Sequence, residues 1–274
     1  MDLSIIIVNY KSKGKLINCL RSLAASNFGN LEYEIIVVEN NSGDHLEDIA
    51  AVCPKTRLII SPENLGMGGG NNLGIKNSFG SYLLIANPDL VFKSDAVKHL
   101  YDYISTHAEA AIVGPKLINP DGTLQYSCAH FPSFFLPLLR RTRVGRCLPA
   151  VVDRYLMKAD SHEKIEAVDW ILGACLFLRR GELFIGDKLF DERFFMYFED
   201  VDLCRRAREA GKETVYFPLA EVTHDHMRDS ARLPWYQAIF CDKLAKVHIN
   251  SWWKYFIKWG LRPAPSLSKP YAKD

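Results

Sequence analysis

The stretch FFMYFEDVDLCRRAREAG, residues 194–211, sets three carboxylates, Glu199, Asp200 and Asp202, directly behind aromatic and sulfur side chains. A carboxylate against Phe and Tyr surface loses hydration, which raises its proton affinity towards what a general base needs. The spacing also reads as a helix: Leu203, Ala207 and Ala210 recur at i, i+4 and i+7, arginines follow the acids, and Gly211 is a stop. Asp202 is placed to pair with Arg206 one turn on, which is a structural use, and acids before bases suit the helix dipole. Glu199 and Asp200 stand where the apolar segment turns into the helix. They are the catalytic candidates.

A second carboxylate, Asp89 in IANPDL, follows an apolar run. A strand-end carboxylate can hold a hard divalent cation that diphosphate oxygens and water otherwise bind. An ordinary turn aspartate is the alternative. His224, in EVTHDHM after the VYFP segment, is a candidate late metal or diphosphate ligand, against a structural histidine. Polar residues close the other apolar runs too: Asn9-Tyr10, then Glu39 to Ser42, then Ser61 to Asn64, then Asn87-Pro88-Asp89. Each alone is turn chemistry. Together, at the carboxyl ends of parallel strands, they form a binding edge for a polar ligand such as a nucleoside. NLGMGGGNNLG, residues 64–74, adds flexibility and exposed backbone N–H groups before a helix, which suits an anion. Its GxGxxN departs from the dinucleotide fingerprint and follows the third strand, and a Walker A lysine is absent.

Elements must bring these groups together. Through residue 90 the chain repeats strand, turn and amphipathic segment: LSIIIV leads to a helix near 15–25, YEIIVV to one near 46–52, RLII to one near 71–79, and SYLLIA follows. That alternation predicts βαβ units and a Rossmann-like, mostly parallel α/β sheet. Beyond Asp89 the pattern is irregular. AAIVGPKLI and AVDWILGACLFLRR read as buried strands, residues 131–160 as a loop or helical excursion, and residues 233–260 as helical.

At 274 residues, 48% hydrophobic and 24% charged, the chain has ordinary globular composition, and a net charge of +2 argues against a general nucleic-acid binder. Seven cysteines without a CxxC pair give no disulfide framework or zinc signature and fit a reducing cytoplasm. The apolar N-terminus is too short for a signal peptide, and nothing approaches 18 uninterrupted apolar residues.

The segments SIIIVNY, IIVVENNS, NLGMGGGNN, YLLIANPDL, VDWILGACLFLRR, FDERFFMYFEDVDLCRRAREAG and VTHDH stand in this order. In that order the chain, from Ser4 to about Ser230, resembles the inverting nucleotide-sugar glycosyltransferases of family two, and among them the bacterial rhamnosyltransferases. The resemblance implies a glycosyltransferase A-type fold, with residues 1–230 catalytic (1–90 for the nucleotide, 91–230 for the acceptor) and 231–274 a helical basic-aromatic segment. It implies a donor pocket of Asn9, Tyr10, Glu39, Asn41, Asn64, Gly66, Asn71 and Asn87, with Asp89 and His224 on Mg2+ or Mn2+. Asp200 becomes the general base and Glu199 its positioning partner. Residues 194–198, Tyr197 among them, and Trp170 become an acceptor wall, since aromatic rings cover the apolar faces of sugars. Glu39 stands where the family commonly has Asp, and Asn87 at the first acidic position of the usual DxD leaves Asp89 as the sole carboxylate of that motif.

The implied donor is dTDP-β-L-rhamnose, and the implied acceptor a hydroxyl of a glycan or polyprenyl-diphosphate-linked glycan in cell-surface polysaccharide (O-antigen) synthesis. A UDP-hexose donor, a nucleotide-dependent oxidoreductase and a non-catalytic nucleotide-sugar module are the alternatives. Uneven charge bears on the acceptor: four arginines lie in 140–146, and residues 243–273 hold seven Lys/Arg with no acid. SWWKYFIKWGLRP, with Trp252, Trp253, Tyr255, Phe256 and Trp259 beside Lys254, Lys258 and Arg262, has the mixture of an interfacial helix, as does FFLPLLRRTRVGR. That predicts peripheral contact at the inner face of the plasma membrane. Packing on the catalytic domain or in a homodimer is the competing use of the same residues.

Overall fold

The computed structural model describes residues 1–136, 149–226 and 243–266. The first four strands, β1 (Leu3–Asn9), β2 (Tyr33–Glu39), β3 (Thr56–Ile60) and β4 (Tyr82–Ala86), alternate with α1 (Lys13–Ala24), α2 (Ile49–Val52) and α3 (Gly66–Lys76). They pair in parallel in the order β3-β2-β1-β4. Every residue of β1 is buried, which is why LSIIIVN shows no alternation: helices cover both faces of such a sheet.

The second half builds β5 (Leu90–Phe92), α4 (Ala96–Thr106), β6 (Ala110–Ile118), β7 (Leu124–Gln125), β8 (Cys128–Ala129), α5 (Pro149–Tyr155), β9 (Glu166–Val168), β10 (Trp170–Ile171), β11 (Cys175–Arg179), α6 (Glu199–Glu209), β12 (Glu213–His224) and α7 (Lys243–Trp259). β11 enters antiparallel between β4 and β6, β12 lies parallel to β6, and β5 closes the edge antiparallel to β12. The result is a mixed ten-stranded sheet whose two longest ladders are parallel. One apolar core lies on each face.

Three local expectations are corrected. Residues 167–180 read as one buried strand, yet they form the end of β9, then β10 and β11, interrupted at Asp169 and at Leu172–Ala174. α3 starts at Gly66, so the glycine run is helix interior and not a flexible turn. The C-terminal aromatic residues do not present one interfacial face: Tyr255 is buried, and Trp252, Phe256 and Trp259 pack around Phe194, Phe198 and Val201. Trp253, Ile257 and Leu261 remain outward, at 52%, 67% and 78% exposure. The arginine cluster 140–146 lies outside the described residues. No described helix is long and apolar enough to cross a membrane, and the five described cysteines are buried and free.

Candidate active site

The parallel register aligns the strand ends. Asn9 lies beside Glu39 and Glu39 beside Ile60, and the edge continues by Asn40 N–H to the Asn9 carbonyl (3.0 Å) and Ser61 N–H to the Glu39 carbonyl (2.9 Å). Asn9 Nδ2 donates to Asp44 Oδ2 at 2.8 Å, and the same oxygen accepts the N–H groups of Ser12 and Lys13 at the start of α1. The Asn9 amide, then those backbone donors, hold the Asp44 carboxyl below its ordinary range. The Asn9 Oδ1 is buried without a partner. Glu39 is spent largely on its own turn, its oxygens accepting from Asn41 N–H (3.1 Å) and Ser42 N–H (2.6 Å). Beyond this edge opens a cleft of about 470 Å³ lined by residues 10–15 and Asp89, with Tyr10 44% exposed.

The other donor-side candidates fall into two groups. Asn64 and Gly66 are tied to Asn40, whose Nδ2 donates to Asn64 Oδ1 (3.2 Å) and to the Gly66 carbonyl (3.0 Å). Two N–H groups in the first turn of α3 are already spent, Gly66 on Asn64 Oδ1 at 2.9 Å and Met67 on the Phe195 carbonyl at 2.8 Å. Asn71, buried inside α3, bonds back to the Met67 carbonyl and leaves its Oδ1 unpartnered, as does Asn87.

At the end of β4, Asp89 meets the end of β12. His224 Nδ1 is bonded to Gln125 Oε1 at 2.8 Å, and its Nε2 lies 3.3 Å from Asp89 Oδ1. Both atoms are buried and neither makes a hydrogen bond. A proton or a metal cation between the two atoms satisfies both, and the Gln125 contact is the kind that orients a metal-ligating imidazole. His226 brings a third ligand atom within 4.8 Å of the other two. These residues therefore fit a divalent cation. Asp225 locks the group, its N–H donating to the Asp89 carbonyl (3.0 Å) and its own carbonyl accepting Lys15 Nζ (2.6 Å).

The base candidate is built at the start of α6. Asp200 Oδ2 accepts the Gly173 N–H and Oδ1 the Val201 N–H, both at 2.8 Å. Gly173 interrupts the sheet between β10 and β11, and a Cβ there would lie 2.9 Å from the Asp200 Cβ. The adjacent Ala174 carbonyl accepts the Asn87 N–H at 2.8 Å. Burial pushes the Glu199 carboxyl up to about 8, the neighbouring Asp200 charge adding to the rise. Burial raises Asp200 as well, against the Gly173 and Val201 donors. Glu199 Oε2 has no partner. Burial thus raises both carboxyls, and Asp200 is the one whose charge N–H groups meet.

The acceptor wall is thinner than the sequence implies. Phe194 and Phe198 belong to the core under α7, leaving Phe195, 41% exposed, and Tyr197, whose ring lies 4.9 Å from that of His248. Trp170 donates its indole N–H to the His130 carbonyl (2.8 Å), and Asp169 pairs with Arg208 at 3.2 Å. Sequence reasoning passed over Gly173, Asp44, Gln125 and His226. Two of them left a signal: a lone Gly in a strand pattern marks a break, and THDH puts two imidazoles two residues apart at a strand end.

The model for glycosyl transferase family 2 matches residues 4–164. An N-acetylglucosaminyl-diphospho-decaprenol L-rhamnosyltransferase of Mycobacterium tuberculosis is 28% identical over 97% of this chain and 91% of its own. The rhamnosyltransferase WbbL of Escherichia coli is 25% identical over 93% and 92%. Among solved structures, GalNAc-T7 with UDP, GalNAc and Mn2+ superposes with TM-score 0.64 at 14% identity, covering 97% of this chain and 53% of that one. Residues 1–349 of S. aureus TarS superpose with TM-score 0.57 at 16% identity, covering 94% and 72%. These likenesses show the glycosyltransferase A-type fold.

Proposed function

The chain belongs to glycosyl transferase family 2, and from that premise we propose that it transfers L-rhamnose from dTDP-β-L-rhamnose, with inversion, to a hydroxyl of a polyprenyl-diphosphate-linked glycan. Residues 1–90 serve the donor and 91–230 the acceptor. The carrying observation is the short backbone link from donor side to base: Asn87 N–H to the Ala174 carbonyl, and Gly173 N–H to Asp200.

Asp200, ionised, takes the proton of the acceptor hydroxyl as that oxygen attacks the anomeric carbon from the face opposite the diphosphate. The new C–O bond forms as the bond to the diphosphate breaks, and dTDP leaves with the electron pair. One displacement inverts the centre. Asp89, His224 and His226 would hold a divalent cation such as Mg2+ or Mn2+, which would supply charge stabilisation to the departing diphosphate. Tyr10, at the mouth of the cleft beside Asp89, offers its ring to the base.

The names of the mycobacterial and E. coli relatives support rhamnose, and the mycobacterial name supports a lipid diphosphate acceptor. On this reading the enzyme works at the cytoplasmic face of the plasma membrane as a peripheral protein. A UDP-hexose donor is the second reading, favoured by the structural neighbours that hold UDP. Thermal-shift titration with dTDP, UDP and GDP sugars and Mn2+, followed by transfer assays, decides between them: faster transfer from UDP-glucose or UDP-N-acetylglucosamine than from dTDP-rhamnose overturns the donor assignment. Asp89→Ala is expected to weaken donor binding in calorimetry with Mn2+ present, and to change nothing when the metal is omitted.

A further inference from the structure

Asp200 stands behind an irregular segment, residues 191–198, whose last two residues, Tyr197 (φ 69°) and Phe198 (φ 66°), both hold left-handed backbone. Bulky side chains keep that conformation only where their surroundings impose it. Here α7 runs along the segment. Ser251 Oγ donates to the Met196 carbonyl, Lys254 Nζ to the Arg193 carbonyl and Lys258 Nζ to Asp191 Oδ2, each at 2.8 Å. The three donors lie at i, i+3 and i+7, one face of the helix.

The Lys258 ammonium also reaches Asp202 Oδ2 at 2.8 Å. Asp202 has no exposed surface; it further accepts Trp259 Nε1 (2.8 Å) and Arg206 Nε (3.1 Å). Asp191 precedes Glu199 and Asp200 in the chain and Asp202 follows them. One cation therefore pins both flanks of the catalytic pair. From the opposite side, Met67 N–H of α3 holds the Phe195 carbonyl at 2.8 Å. The segment is clamped between a helix of the donor half and the C-terminal helix.

We propose that Lys258 is a positioning residue for the transfer reaction: by bridging Asp191 and Asp202 it fixes the segment before α6, and so aims the Asp200 carboxylate at the acceptor hydroxyl. This rests on the assignment of Asp200 as base, and it makes α7, which lies beyond the family-matched residues, part of the catalytic unit. Because Arg206 and Trp259 remain on Asp202, loss of Lys258 removes the bridge without stranding a buried charge.

The test compares Lys258→Met and Lys258→Arg with wild type in the full chain, using dTDP-rhamnose, Mn2+ and a short-chain polyprenyl-diphosphate N-acetylglucosamine, with amide exchange of residues 191–201 followed in the free protein. Lys258→Met is expected to lower kcat about 10- to 100-fold, to leave the donor KM within roughly twofold, and to speed exchange in that segment. Lys258→Arg is expected to restore most of both. A kcat unchanged in Lys258→Met, a loss matched by the fraction of protein that no longer binds donor, or an unchanged exchange pattern overturns the proposal. If the wild type transfers sugar from no nucleotide donor, the glycosyltransferase mechanism itself fails and the positioning role falls with it; a wild type that transfers beside an undiminished Lys258→Met sinks the positioning role alone.

Discussion

At the scale of single residues, the two adjacent carboxylates are separated by what meets them. Asp200 has an N–H group on each oxygen, whereas Glu199 has a buried oxygen with none. Asp200→Asn is expected to lower kcat by roughly 10²- to 10⁴-fold, the range of general base catalysis, while donor affinity stays unchanged. Glu199→Gln, an imitation of the protonated acid, is expected to keep most of the activity at neutral pH; a loss as deep as that of Asp200→Asn would falsify the division of roles. The same pair sets a pH dependence. Since burial raises the folded Glu199 carboxyl from 4.5 to about 8, its stabilising contribution is complete below the unfolded value and is lost as pH rises through the folded one. Thermal midpoints of wild type should fall between about pH 5 and pH 8, and Glu199→Gln should flatten that slope. The paired acids were legible in the sequence because burial against aromatic residues is a local pattern. Gln125, which orients His224, was not, and Gly173 showed only as a break in a strand pattern, since the residues they act on, His224 and Asp200, lie far away along the chain.

At the scale of elements, α3 shows why a motif can be located and still misread. Its glycines looked like a loop for phosphates, but they let a helix press onto the sheet: a Cβ on Gly74 would lie 2.5 Å from Ile6 Cγ2, and one on Gly70 2.9 Å from Val8 Cγ1. Composition reports small residues without saying whether backbone or ligand fills the space. Gly74→Ala is expected to lower stability in urea by about 1–3 kcal/mol, the usual cost of overpacking, with donor affinity per folded molecule unchanged. Gly66→Ala should cost more and also impair transfer, because φ is +72° there and the added Cβ would lie 2.0 Å from the Phe195 carbonyl, which the Met67 N–H holds. Parity between the two variants in both measurements would remove the α3 contact from the account of the site. The first four strands were readable to within a few residues because a parallel sheet buried on both faces needs unbroken apolar runs. The interruption at Leu172–Ala174 was marked in the sequence by Gly173 alone, since the Ser127, Asn87 and Asp200 contacts made there come from distant residues.

At the scale of the whole molecule, the question is what the outer face of α7 meets. Its inner face is occupied by the clamp on residues 191–198, which disposes of most of the aromatic residues that suggested an interfacial helix. Trp253 and Ile257 nonetheless face outward one turn apart, with Leu261 exposed just past the helix end, Lys246 exposed a turn or two before them and no acid between residues 243 and 266. Phe135 is 67% exposed, and its neighbour Phe134 meets Trp252 at a tilt and Phe256 edge-on. Exposed apolar residues beside lysines suit an anionic bilayer, with apolar insertion and about 1 kcal/mol per basic residue near the surface acting together. The full chain is expected to sediment with phosphatidylglycerol vesicles at low salt, to leave them partly at high salt, and to stay in the supernatant when Trp253, Ile257 and Leu261 are replaced together by Ser. These residues could instead seat a second copy of the chain, and light scattering separates the two: a wild-type dimer that the triple replacement turns monomeric, with no vesicle binding by either protein, assigns this face to self-association and leaves the enzyme to reach its acceptor without it.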